Sequence, residues 1–316
     1  GAILVDASRQ AVLGNHLGRP LDGDLIQRWM QLASQSNLAE QRLFLEPFSE
    51  TEQRLIDRVR DFPLPVVHRT HVESLRTTLG RGAIVAPREK DRAGAAEAPI
   101  TTPIVEDLLF GGRDCVFATV GPPDGTSRYG SVIVRIKPAA NQAAWGTPAS
   151  GAHFLDTMRF KNTLQLNTLL EGAPPSPSAL PWLAGVNFDD RLHFSKRVVS
   201  SADFHTALGL QAVMKLRDTP AGDEAVQSRL KALFEEQDAH RFWALFCDDR
   251  PGVPIRDREP FGYLEAKYPQ SLSLSDVEVI ELAPDDYQRV IKWPEAARWR
   301  ELLRVNEHAE PAPAQR

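Results

Sequence analysis

From Pro65 onward the chain is a succession of short β-forming runs, and their spacing limits the fold more than any other feature. The runs are VVHRT at 66–70, CVFATV at 115–120, SVIVRIKP at 131–138, RLHFSKRVV at 191–199, GYLEAKY at 262–268 and DVEVIEL at 276–282. Gly/Pro punctuation such as GPPDG at 121–125 separates them, as expected of strand ends and turns. Helical stretches lie between them at irregular intervals. With no regular βαβ period and no glycine-rich strand-to-helix turn, the pattern predicts an α+β fold rather than a doubly wound sheet.

Upstream the periodicity is helical. Between Asp22 and Phe44, Leu25, Ile26, Trp29, Leu32 and Leu43 recur mostly at three- and four-residue steps, with Asp22 or Asp24 available as a cap. Ser49 and Glu52 then form a capping-box pattern before Leu55, Ile56 and Val59, and Pro63 ends the run. This predicts an N-terminal helical region over 1–62, a second domain with insertions over 63–310, and a disordered tail at 311–316. The stretches 88–99 and 171–181, rich in Ala, Pro, Gly and Ser, hold too little apolar surface to order themselves and are expected to be mobile.

Charge and composition narrow the partners. A net charge of −5 gives no overall attraction to phosphate backbones, which makes nucleic acid the weaker partner. The only cysteines, Cys115 and Cys247, cannot build a disulfide framework or a four-cysteine zinc site, and their apolar neighbours predict buried free thiols. No apolar run reaches the ~18 residues of a membrane span. The chain starts on Gly1 with no basic-then-apolar leader and is expected to be a trimmed sequence, with a secretion signal at the natural N-terminus left open.

Most catalytic motifs are missing: there is no phosphate loop, GxSxG elbow, HExxH or dinucleotide fingerprint. His68 and His71 are three apart but straddle a strand end with no further ligand nearby, so no metal is expected. Three segments instead carry polar residues where strands are normally apolar: VVHRTHVESLRTTLGRGAIVAP at 66–87, LLFGGRDCVFATVGPPDG at 108–125 and PFGYLEAKYPQSLSLSDVEVIEL at 260–282.

In that order the segments resemble the ADP-ribosyltransferase superfamily, which includes bacterial toxins, poly-ADP-ribose polymerases and DNA-modifying toxins. HRT at 68–70, followed by a helix and a Gly-x-Ile-x-x-Pro exit at 82–87, is similar to the family's first NAD-contacting strand. RDCVFATVG is similar to its second element, and EAKYPQSLSLSDVEVIEL resembles its closing strand-turn-strand, in which a glutamate opens the strand. The resemblance implies a split β-sandwich core, NAD as substrate, no metal, and Glu265 as the catalytic carboxylate.

A carboxylate suits that chemistry. Breaking the nicotinamide–ribose bond builds positive charge on the sugar, which a fixed anion stabilises most in the transition state. The resemblance also implies NAD contacts from His68, Arg69 and Thr70. Strand alternation forbids His68 and Arg69 from sharing a pocket, and the His-x-Thr pattern favours His68 with Thr70, leaving Arg69 as the alternative phosphate ligand. Phe117 is expected to stack on nicotinamide and Thr119 to bond the ribose or amide. The SKRVVSS stretch at 195–201 is a further candidate for the diphosphate.

The implied function is transfer of ADP-ribose to a protein acceptor by a secreted bacterial effector or toxin, acting in the cytoplasm of a target cell. The helices of 1–62 and the insertion around 141–181 are expected to choose the target. Relatives of this kind modify ubiquitin, although nothing in these residues points to it. Tyr263 stands two before Glu265, where the arginine-modifying branch carries Gln or Glu, so the acceptor is open. Nucleic acid or water as acceptor, the latter making an NAD hydrolase, and a non-catalytic binding module are the competing readings.

Overall fold

A computed structural model describes residues 34–35, 37–86, 115–143, 145–148, 199–250 and 258–308. The expectations for 88–99 and 171–181, most of those for 22–36, 141–181 and 191–199, and the tail at 311–316 lie outside these residues.

Ser49 opens helix α1 (Glu50–Arg60). Its hydroxyl accepts the Glu52 amide at 3.3 Å, and the Glu52 carboxylate accepts the Ser49 amide at 2.7 Å, so two of the free donors at the helix start are satisfied reciprocally. Leu55, Ile56 and Val59 form its buried side and pack on helix α3 (Phe204–Asp218). Gly209 of α3 allows this approach, since a β-carbon there would lie 3.3 Å from the Ile56 Cα. Arg217 closes the contact by donating to Glu52 at 2.6 Å and to the Leu45 carbonyl at 2.7 Å. The bond from Arg217 holds the Glu52 carboxyl below the usual range.

Among the described residues the main sheet has eight strands, in the order β10-β9-β4-β1-β3-β7-β5-β6. They are β1 (Val66–Thr70), β3 (Cys115–Val120), β4 (Val132–Ile136), β5 (Trp145–Pro148), β6 (Val199–Ser200), β7 (Leu264–Pro269), β9 (Val277–Leu282) and β10 (Leu303–Val305). Neighbours run antiparallel except β9 with β10. A separate antiparallel pair joins β2 (Ala83–Val85) to β8 (Ser271–Ser273). Between β1 and β2 lies helix α2 (Val72–Arg81), which ends on Gly82 at φ 70°, a left-handed cap that suits glycine. The chain is therefore a mixed helix-and-sheet protein, as the irregular strand spacing predicts.

One face of the sheet is the core. Val66, Val116, Ala118, Val120, Val132, Val134, Leu264, Ala266, Ile280 and Leu282 are all buried there, every second residue on each strand. The same continuous core takes in Leu55, Ile56 and Val59 of α1, α3, α4 (Glu224–Glu235) and α5 (Ala239–Phe246). Trp243 of α5 is 1% exposed and donates its indole N–H to the Pro63 carbonyl at 2.8 Å. The described part of the expected N-terminal region therefore shares this core through Leu55, Ile56 and Val59. Both cysteines are buried free thiols, and among the described residues no helix is long and apolar enough to cross a membrane.

Candidate active site

The opposite face of the sheet holds most of the polar residues singled out above; on it Val67, Ile133 and Lys267 are buried, while Arg69, Phe117, Thr119 and Glu265 are half-buried. On β7 the side chains of Glu265 and Lys267 point to it, and β3 sets Thr119 opposite Glu265 and Phe117 opposite Lys267. β1 adds Val67 opposite Thr119, and alternation puts Arg69 on the same face. β4 adds Ile133, opposite Arg69, and Arg135, opposite Val67. Glu265 and Arg69 are two strands and two residues apart, a backbone separation of roughly 12 Å from the strand and residue spacings.

The ladder between β1 and β3 is short. It is formed at Val66–Val120 and Val67–Thr119 only, whereas β1 stays paired with β4 through Thr70. Beyond Val67 the two strands separate, and the gap is bridged by His68, whose Nδ1 lies 2.6 Å from the Phe117 carbonyl oxygen. His68 and Thr70 belong to the core-facing side, and Thr70 is 9% exposed. The sheet therefore separates the expected His68–Thr70 pair from Glu265 and groups Arg69, Phe117 and Thr119 with it.

The GPPDG loop after β3 folds back over this face. A β-carbon on Gly125 (φ 67°) would lie 2.9 Å from Val67 Cγ1 and 3.2 Å from both Arg69 Cγ and Thr119 Oγ1, so only glycine lets the loop settle. Gly130, at φ 131°, fixes the end of β1 in the same way: a β-carbon there would sit 2.1 Å from the Thr70 carbonyl oxygen. Thr119 donates to the Val67 carbonyl at 3.2 Å, which orients its oxygen within the row.

Arg69 lies beneath the loop. Its Nη1 donates to the Ser131 carbonyl at 3.2 Å, while its buried Nε has no hydrogen-bond partner. Burial depresses the guanidinium pKa, and Asp124 and Asp249 oppose that shift without either making a direct ion pair. A buried donor left without a partner is costly. Arg135 contrasts with this. It is held by both oxygens of Glu281 at 2.7 and 3.1 Å, by Asp124 at 2.8 Å and by the Pro123 carbonyl. Burial works against its charge, yet Glu281 and Asp124 more than offset it and raise its pKa.

Asp124 also lies 3.3 Å from Nε2 of His240 on α5. His240 and Arg135 together hold the Asp124 carboxyl far below its usual range, and Asp124 in turn raises the His240 pKa. Asp249 pairs with Arg258, but burial pushes its carboxyl pKa up. The Glu265 carboxylate accepts from Lys267 Nζ at 2.9 Å through Oε1. Among the described residues its other oxygen has no partner, and the side chain is 37% exposed. Lys267 is 4% exposed, with its ammonium 5.4 Å from the Phe117 ring centre.

Lys267 was within reach of sequence reasoning, because a residue two along a strand from Glu265 shares its face. Asp124, Arg135, His240 and Glu281 come together through long-range packing and leave no local signal. Of SKRVVSS, residues 195–198 lie outside the described residues; Ser200 bonds Asp203 at 2.9 Å.

The face thus presents a carboxylate, a hydroxyl and an under-satisfied guanidinium in sequence across three strands. Such a set can bind a ligand that is cationic or becomes so at one end and anionic further along. Compared with known family models and with curated proteins, the chain matches none.

Proposed function

We propose that the chain is an NAD-dependent ADP-ribosyltransferase of the split β-sandwich type, with a protein as acceptor. The observation that carries this reading is the placement of Glu265, Thr119 and Arg69 as half-buried side chains on one face of the sheet, beside the point where β1 parts from β3. Glu265 faces the nicotinamide ribose. The bond from its anomeric carbon to the nicotinamide nitrogen breaks, the electron pair leaves with nicotinamide, and the carboxylate opposes the positive charge left on the sugar. An acceptor lone pair then forms the new bond and its proton passes to solvent. Arg69 takes the diphosphate through its guanidinium. Thr119 contacts the ribose, and Phe117 packs by the nicotinamide ring.

A protein acceptor accords with the net charge of −5, which gives no general attraction to nucleic acid. The test is incubation of the full chain with labelled NAD and a cell lysate, with Glu265→Gln in parallel. The expected result is a labelled protein band that Glu265→Gln reduces by at least ~100-fold while NAD binding persists. Label in nucleic acid, or nicotinamide release with no labelled product, moves the acceptor to nucleic acid or water. Unaltered transfer by Glu265→Gln removes Glu265 from the reaction, and no turnover with any acceptor overturns the transferase reading.

A further inference from the structure

We infer that Lys267 is a positioning residue for Glu265, fixing the carboxylate through one oxygen so that the other meets the ribose; this rests on the transferase reading above. Lys267 is 4% exposed on a face whose other polar residues are half covered. An ammonium buried to that degree gives up most of its hydration, and an apolar side chain of similar length is often as good or better for stability alone. Its position therefore calls for a purpose beyond filling space.

The geometry supplies one. Glu265 and Lys267 are two apart on β7, so their side chains stand side by side, and Nζ meets Oε1 at 2.9 Å. Phe117, directly across on β3, lies under the ammonium with its ring centre 5.4 Å away, which holds the lysine in place by cation–π attraction and packing. A glutamate side chain has three rotatable bonds, and a carboxylate 37% exposed would otherwise sample several rotamers. Tying one oxygen to a buried cation removes that freedom before substrate arrives and leaves the second oxygen available. The lysine needs no contact with NAD. Its effect passes through Glu265, so it belongs to the rate of the chemical step and not to NAD affinity.

Lys267→Met, a near-isosteric neutral replacement, is compared with Lys267→Arg and with the pair Lys267→Met plus Glu265→Gln, using single-turnover transfer with labelled NAD and the full chain. Lys267→Met is expected to lower the rate at saturating NAD by about 10- to 50-fold with KM for NAD changed less than about 3-fold, and Lys267→Arg to recover most of the loss. In the Glu265→Gln background Lys267→Met should add less than about 2-fold, because the group it orients has already been neutralised. Lys267→Gln serves the same comparison if the methionine variant melts early. A rate within about 2-fold of wild type, or costs that multiply in the double variant, overturns the inference while leaving the transferase reading intact. A wild-type chain without NAD turnover overturns both.

Discussion

At the scale of single residues, β1 shows how one step of phase changes which side chain has a function. Val66 and Val67 are both apolar, so the strand VVHRT holds no alternation that says which of His68 and Arg69 faces the open side. Pairing with β3 and β4 decides it, and that pairing cannot be read from the five residues themselves. Arg69→Ala is accordingly expected to weaken NAD binding by about 1.5–3 kcal/mol through loss of a charged hydrogen-bond donor. His68→Ala should leave affinity within about 2-fold and instead cost about 1 kcal/mol of stability, because its bond bridges two strands. Titration calorimetry beside denaturant unfolding separates the two, and the reverse assignment would restore the His-x-Thr expectation. The His240–Asp124 contact carries a pH dependence. Asp124 is depressed, so its contribution is present above about pH 4 and lost as pH falls through its folded pKa; His240 is raised, so its contribution is present below about pH 6.5 and lost as pH rises through its folded value. With His240 57% exposed the effect is small, and His240→Ala is expected to cost at most about 0.5 kcal/mol at pH 5–6 and nothing at pH 9.

At the scale of elements, the longer central strands were the readable part, whereas β2, β5, β8 and β10 had no run of their own in the sequence reading. The runs at 66–70 and 115–120 coincide with β1 and β3, and those in 262–268 and 276–282 differ from β7 and β9 by a residue or two at their ends. Gly/Pro punctuation and β-branched content locate such strands because both act locally. Their order in the sheet was not readable: β1 lies between β3 and β4, a consequence of long-range packing. The capping box at Ser49 was readable, since a Ser three residues before Glu specifies its own geometry, and Ser49→Ala should cost about 1 kcal/mol, measured by chemical denaturation. The turn at Gly130 is far less forgiving. Gly130→Ala would combine a positive φ with a backbone clash at 2.1 Å, and is expected to cost at least ~3 kcal/mol or to leave insoluble protein.

At the scale of the whole molecule, the described residues form one body around one core. Removal of residues 1–62 would take away Leu55, Ile56 and Val59, none more than 4% exposed. Each is worth about 1.5–3 kcal/mol of burial, a sum comparable with the entire net stability of a typical domain, about 5–15 kcal/mol. That truncation is expected to abolish cooperative unfolding, so a loss of transfer in it would say nothing about target choice; a sharp thermal transition by circular dichroism would show instead that α1 is dispensable. The glycines that let the loop after β3 close over β1 bear on ancestry as well. Catalytic side chains can be exchanged when a reaction changes, but no side chain can enter position 130 while the backbone of Thr70 stays where it is. A distant cousin of this chain, even one whose chemistry has drifted, is best sought by glycines spaced as Gly125 and Gly130 are, five residues apart behind a strand of this register.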